Sequence, residues 1–307
     1  ITSLATFSVI FSTLLVGLLL YILSQTLCIN LPLYYCFAFG ALISPTDPIA
    51  VLGVLKIVRA PRSLELKIAG EALFNDGMGI VLFFVSLSLA YGQNVYLSLD
   101  TIFFYFVRQG LGGLVLGLII GYIAANLLKN VNDPEVAIMF TLGIVSGGYY
   151  LSHSMLEVSG PICMATAGLV ISNIIKQGEM TEETMIRLGS FWELLDEVLN
   201  AILFVLIGLE FIGIQFDIYV VLSAIIAVIV TLFGRWVSIL IPIFGLSHFR
   251  MINLPLLNVL TWSGLRGGVS IALALSIEGI YHNFLVAITY AVVIFSMMIQ
   301  GFTVSFV

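Results

Sequence analysis

Ser44-Pro45-Thr46-Asp47-Pro48 interrupts an apolar run that otherwise extends from about residue 32 to 55. Proline removes a backbone donor and clashes with the preceding turn, so a helix cannot pass through two of them unbroken. Trp262-Ser263-Gly264-Leu265-Arg266-Gly267-Gly268 interrupts a second run, from about 253 to 277, where glycines loosen the helix. Irregular backbone at bilayer depth is tolerated only where protein buries it or where it lines a cavity. Each break also carries a charge, which incidental kinks do not require. Both spans are therefore read as unwound at mid-membrane, and each is followed by a further full span.

The membrane setting follows from composition. The 307 residues are 61% hydrophobic and 9% charged, with a mean hydropathy of +1.17. These values exclude a soluble globular domain and indicate an all-helical polytopic membrane protein. Ten spans are expected, at about 4–27, 32–55, 67–90, 101–128, 135–152, 160–176, 187–213, 218–244, 253–277 and 284–305. Runs of this length are too long for the roughly 10-residue strands of a membrane barrel. Short loops make 1–307 a single integral domain. The chain starts at Ile1 without Met and ends within an apolar run, so it is expected to lack N-terminal helices.

Loop charge sets the orientation. Lys56, Arg59, Arg62, Lys67, Lys129, Lys176, Arg187 and Arg250 share one side. The opposite loops hold Asp100, Glu157, Asp217 and Glu278 and no Lys or Arg. The basic side is cytoplasmic. The pairs 32–90 and 253–305 then run in opposite directions, and paired broken helices in inverted halves point to a transporter with its site at their crossing. No basic patch suggests nucleic acid. Cys28, Cys36 and Cys163 show no CxxC spacing, so neither a disulfide framework nor a metal site is implied, and no cofactor is expected.

Glu71-Ala72-Leu73-Phe74-Asn75-Asp76-Gly77 places two acids and an amide in the third span. Asp76 lies nine residues beyond Lys67. At ~1.5 Å per residue that is roughly 14 Å into a ~30 Å core, near the midplane. Intramembrane acids mark functional sites by default. Asn75 and Asp76, with Thr46 and Asp47 from the first break, supply carboxylate, amide, hydroxyl and carbonyl oxygens. This set suits a hard monovalent cation. Withdrawal from water disfavours the charged carboxylate, so a proton competes with the cation for Asp76, and that competition can couple opposite fluxes. Glu71 needs a deep basic partner, either Arg235 or Arg266. Arg108 starts near the outer surface, where it can snorkel or pair. Glu193, Asp196 and Glu197 in the seventh span are either a cytoplasmic cation funnel or a solvated helix start. Two rival functions are a cation channel and an intramembrane protease. A titratable carboxylate at a blocked crossing favours alternating access over a channel. The protease contexts, YD with GxGD or GxSG with a deep His, are absent around Asp76 and at 146–148, and no enzymatic activity is expected.

At these motifs the chain resembles the monovalent cation:proton antiporter-1 family, the NhaP and sodium/hydrogen exchanger group. The matching segments are SPTDPIAVL at 44–52, GEALFNDG at 70–77, Phe191-Trp192-Glu193 with Leu206-Ile207-Gly208-Leu209-Glu210, Gly234-Arg235, and WSGLRGGVSIALALS at 262–276. The resemblance implies an inverted-repeat antiporter fold with two crossed unwound helices, and sodium/proton exchange in a plasma membrane, with potassium or lithium as other candidate cations. It also implies a homodimer in which a core bundle, expected from 32–91, 135–176 and 253–307, moves against a dimerisation scaffold. Asp76 then matches the ion- and proton-binding carboxylate, with Asn75 beside it. Thr46 and Asp47 match the first unwound crossing; Arg266, Gly264 and Gly267 match the second. Glu71 matches the acid paired with Arg235. The Asn-Asp form is similar to that of electroneutral members. Position 72 is Ala where many relatives carry Ser, and ten spans stand where the family has twelve or thirteen.

Overall fold

The computed structural model describes residues 2–27, 29–47, 62–92, 99–175, 180–213, 217–245, 261–262 and 264–303. In order, the helices are α1 (Thr2–Thr26), α2 (Leu33–Ile43), α3 (Arg62–Ala90), α4 (Leu99–Leu128), α5 (Pro134–Tyr150), α6 (Gly160–Ile175), α7 (Glu182–Gly213), α8 (Ile218–Gly245), α9 (Gly268–Leu275) and α10 (His282–Phe295). A π-helical turn, Ser296–Gln300, and a last turn, Gly301–Thr303, continue α10. A described helix falls within each expected span, with two informative differences. α2 stops at Ile43 and α9 starts at Gly268, so each interrupted span contributes a half-helix flanking its break. α3 begins at Arg62 rather than near 67, so Lys67 lies inside a helix and not in a loop. Among the described residues, five helical stretches are long and apolar enough to cross a bilayer: Phe7–Thr26, Phe106–Leu128, Pro134–Met155, Ile218–Leu240 and His282–Thr303. The remainders of the two broken spans, 48–55 and 253–260, lie outside the described residues.

The chain divides into two compact units, Ile1–Val95 with Leu206–Val307, and Tyr96–Val205. The segment 135–175 falls in the second unit. Among the described residues of the first unit a continuous core can be followed. It is built from Val16 and Leu20 of α1, Phe39 and Leu42 of α2, Phe83 of α3, Ala227 of α8, Ile271 of α9 and Tyr290 of α10. Phe39, Leu42, Phe83 and Ile271 are fully buried. α1 and α2 approach until backbones touch, since a Cβ on Gly17 would meet the Cys36 carbonyl and one on Gly40 the Thr13 carbonyl.

In the second unit α4 and α6 meet along a glycine seam. Gly113, Gly117 and Gly121 recur one turn apart and face the backbone carbonyls of Ser159, Cys163 and Ala167, leaving no room for a Cβ. Lipid tails are as apolar as leucine, so helices in a bilayer associate through such close packing and not through exclusion of water. α5 is started by local chemistry. Asp133 accepts from the N–H groups of Glu135 at 2.9 Å and Val136 at 3.3 Å, and Pro134 occupies the first helical position. At the other end of α5, residues Leu156–Glu157 are clasped to α4. Arg108 lies 3.2 Å from Glu157 and donates to the Leu156 carbonyl at 3.1 Å, while Gln109 donates to the Glu157 carbonyl at 3.2 Å. Arg108 therefore pairs at an exposed position, where such a bridge is worth at most about 1 kcal/mol.

Candidate functional site

The two breaks meet. Asp47 and Leu265 form an isolated antiparallel bridge, with the Asp47 N–H donating to the Leu265 carbonyl at 2.8 Å. Each break exposes a helix end, and helix ends carry partial charge: negative at the last carbonyls, positive at the first N–H groups. Arg266 answers the first. Its side chain is buried, and Nη1 donates to the carbonyls of Ser44 at 2.8 Å and Pro45 at 2.7 Å, just past the end of α2. Asp47 answers the second. A Cβ on Gly267, the N-cap of α9, would lie 3.0 Å from Asp47 Oδ2, so the carboxylate rests against the start of that half-helix. Two opposite charges thus each sit at the half-helix terminus contributed by the other break. Arg266 required an acidic or carbonyl partner, and its guanidinium bonds to carbonyls.

α3 brings Asn75 and Asp76 to this crossing. Gly79 shares a helix face with Asn75 and packs directly on the Pro45 ring, where a Cβ would not fit. Asn75 is fully buried, and among the described residues neither its Oδ1 nor its Nδ2 has a hydrogen-bond partner. Leaving a buried amide unsatisfied costs about 1–3 kcal/mol per group, so natural proteins rarely keep one without a use. Asp76 is half-buried and lies within electrostatic reach of Asp47 and Arg266. Thr46 is buried in the first break, with its methyl group against Gly264. Ala72, one turn before Asp76, is buried and contributes a methyl where a serine would contribute an oxygen. The expected residues Thr46, Asp47, Asn75, Asp76, Gly264, Arg266 and Gly267 all belong to this one unit.

Arg235 of α8 is buried and sits against Gly264. With Thr231, Thr261, Arg266 and Gln300 it lines a cavity of about 10 Å³, the size of a single water. The expected Glu71–Arg235 pair cannot be traced, because the Glu71 side chain lies outside the described residues. Glu193, Asp196 and Glu197 are exposed on α7 in the second unit, and the neighbouring Trp192 donates to Thr141 at 3.2 Å. Three side-chain hydrogen bonds at the crossing were not expected from the sequence. Ser296 accepts from the Arg266 N–H at 2.9 Å, Gln300 donates to the Trp262 carbonyl at 3.1 Å, and Ser44 accepts from Thr13 at 3.3 Å. A polar residue in an apolar helix gives little signal. The usable one is that Ser296 follows Arg266 by 30 positions, nearly the interval from Asp47 to Asp76 (76 − 47 = 29).

The family described as "Sodium/hydrogen exchanger, transmembrane" matches residues 1–307. The chain belongs to this family. It is 40% identical over 307 residues to the Na(+)/H(+) antiporter NhaP of Pseudomonas aeruginosa, covering 98% of this chain and 72% of that protein. It is 30% identical over 281 residues to the Na(+)/H(+) antiporter NhaH of Halobacillus dabanensis, covering 90% of this chain and 68% of that one. The solved structure of the sodium proton antiporter MjNhaP1 from Methanocaldococcus jannaschii at pH 8 superposes with a TM-score of 0.81 at 19% identity, over 99% of this chain and 76% of that one. At that identity the likeness concerns the fold, and the exchanger fold is what this chain adopts. As a family member it is an integral, multi-pass membrane transporter.

Proposed function

We propose that this protein exchanges sodium for protons by alternating access, with cation and proton competing for Asp76. The observation that carries this reading is the buried Asn75 amide, without partners among the described residues, beside a half-buried carboxylate at the crossing of two broken helices. Oδ1 of Asn75, the Asp76 carboxylate, the Thr46 hydroxyl and the carbonyls freed by the break make an oxygen set suited to a desolvated alkali cation. The antiporter names of the relatives support sodium. Asn75 is neutral, so one cation replaces one proton and no net charge crosses per cycle. Two further readings accompany this one. Glu71 and Arg235 form a structural ion pair, and the exposed acids Glu193, Asp196 and Glu197 attract cations at the cytoplasmic entrance. The working form is a homodimer, which crosslinking in native membranes would test.

The test is proton movement in vesicles challenged in turn with sodium, potassium and lithium. Wild type should respond to sodium, and Asp76→Asn should abolish the response while leaving folded protein in the membrane. Substantial exchange by that variant would sink the assignment. A response to potassium alone would move the substrate to potassium.

A further inference from the structure

The two inverted halves treat equivalent positions differently. Asp76 follows the first break at Asp47 by 29 residues (76 − 47), and Ser296 follows the second break at Arg266 by 30. In the first half the polar group next to that position, the Asn75 amide, is without a hydrogen-bond partner among the described residues. In the second half the corresponding groups are committed to the chain opposite. Ser296 Oγ holds the Arg266 N–H at 2.9 Å, Gln300 Nε2 holds the Trp262 carbonyl at 3.1 Å, and Thr303 Oγ1 takes the Trp262 indole N–H at 2.8 Å. Ser296 and Gln300 are buried and bound the π-turn, whose wider coil recurs at functional sites in helices.

We infer that the π-turn Ser296–Gln300 sets the position of the second unwound stretch, with Ser296 and Gln300 acting as positioning residues for the cation site. The inference rests on the sodium/proton reading above. The chain of contacts is short. Ser296 fixes the backbone of Arg266, the Arg266 guanidinium fixes the carbonyls of Ser44 and Pro45, and the Leu265 carbonyl takes the Asp47 N–H. Thr46 and Asp47 therefore take their place from the continuation of α10, through Arg266, while the Asn75 amide stays uncommitted on α3. One half of the repeat is frame and the other is ligand. A shift of the frame changes how oxygens from the first break meet a cation at Asp76.

The experiment uses the full chain in proteoliposomes, with wild type, Ser296→Ala, Gln300→Met and Ser296→Thr measured side by side. Proton movement is followed against sodium concentration and against pH, with variant amounts equalised by the folded fraction. Ser296→Ala and Gln300→Met should raise the apparent KM for sodium by about five-fold or more, the lower end of what losing one buried hydrogen bond is worth. The pH of half-maximal exchange should move with it, and Vmax should stay within about two-fold. Ser296→Thr keeps the acceptor oxygen and should restore KM to within about two-fold of wild type. A purely architectural role would lower the folded fraction and leave KM and the pH profile of the equalised samples unmoved; that result overturns the inference. If Ser296→Ala does not reach the membrane, Gln300→Met decides by the same criterion. A wild type without cation-driven proton movement would overturn the sodium/proton reading, and the inference with it. An active wild type with unmoved KM in the variants overturns the inference alone.

Discussion

Replacing Arg266 by methionine removes two hydrogen bonds, at 2.8 and 2.7 Å, from a residue that is 3% exposed. The carbonyls of Ser44 and Pro45 are left without these donors, at a helix end whose negative partial charge loses its counterpart. Bonds from a charged donor are worth about 1.5–3 kcal/mol each, and breaking a buried charged interaction from one side typically costs roughly 3–5 kcal/mol. The expected destabilisation of Arg266→Met is in that upper range. Arg266→Lys keeps the charge but loses the planar fork, and should fall about midway. Thermal unfolding of the solubilised protein, followed by fluorescence-detected size exclusion, should rank wild type above the lysine variant and that above the methionine variant. A second cycle separates two causes, because Asp76 is also in the field of Arg266. If attraction to Asp76 dominated, Asp76→Asn would erase most of the penalty of Arg266→Met. If the carbonyls dominate, the penalty persists undiminished when Arg266→Met is combined with Asp76→Asn. A methionine variant as stable as wild type would refute the capping argument altogether.

Gly267→Ala should impair exchange without unfolding the protein. Gly267 has φ −102°, which alanine adopts freely, but its Cβ would press within 3.0 Å of Asp47 Oδ2; sodium-dependent proton flux reads the effect. Asp133→Ala removes the α5 cap and should lower thermal stability by about 1 kcal/mol while the sodium dependence of exchange stays unchanged. Neutralising Glu71 or Arg235 alone should each reduce folded yield, and the double change should recover part of it; strictly additive losses would argue against the pair. Exchange in proteoliposomes clamped by a potassium gradient and valinomycin should ignore voltage. A several-fold response, with pH controlled, would implicate a second titrating group, with Asp47 as first suspect.

The crossing is legible in the sequence because its signals are local. Pro45 and Pro48 forbid a continuous helix, Gly264, Gly267 and Gly268 weaken one, and Asp76 is an acid at a depth that makes it conspicuous. What stays hidden depends on which residues meet across long intervals. Nothing in the sequence says that Arg266 reaches carbonyls 222 and 221 positions away, because a guanidinium accepts a carboxylate or a carbonyl as partner equally well on paper. Ser296 and Gln300 read as tolerated polar residues until the backbone of Arg266 and Trp262 is placed beside them. Asp47 groups with the ion-binding oxygens on composition. Its approach to Gly267 adds a second duty, at the start of α9, that only the meeting of the breaks could reveal.

The glycine seam between α4 and α6 has a practical corollary. Its cohesion lies in close atom-to-atom packing against the backbone at Ser159, Cys163 and Ala167, not in any difference between water and oil. Such a joint depends less on its surroundings than one driven by exclusion of water. Exchanging bilayer for detergent micelle, or one acyl length for another, leaves those contacts as they were. Cooling does not loosen them, since no entropy of released water is involved. Within the second unit, α4 and α6 therefore form the pair that should survive extraction with native spacing, a fixed reference against which a spectroscopic label elsewhere in that unit can be measured.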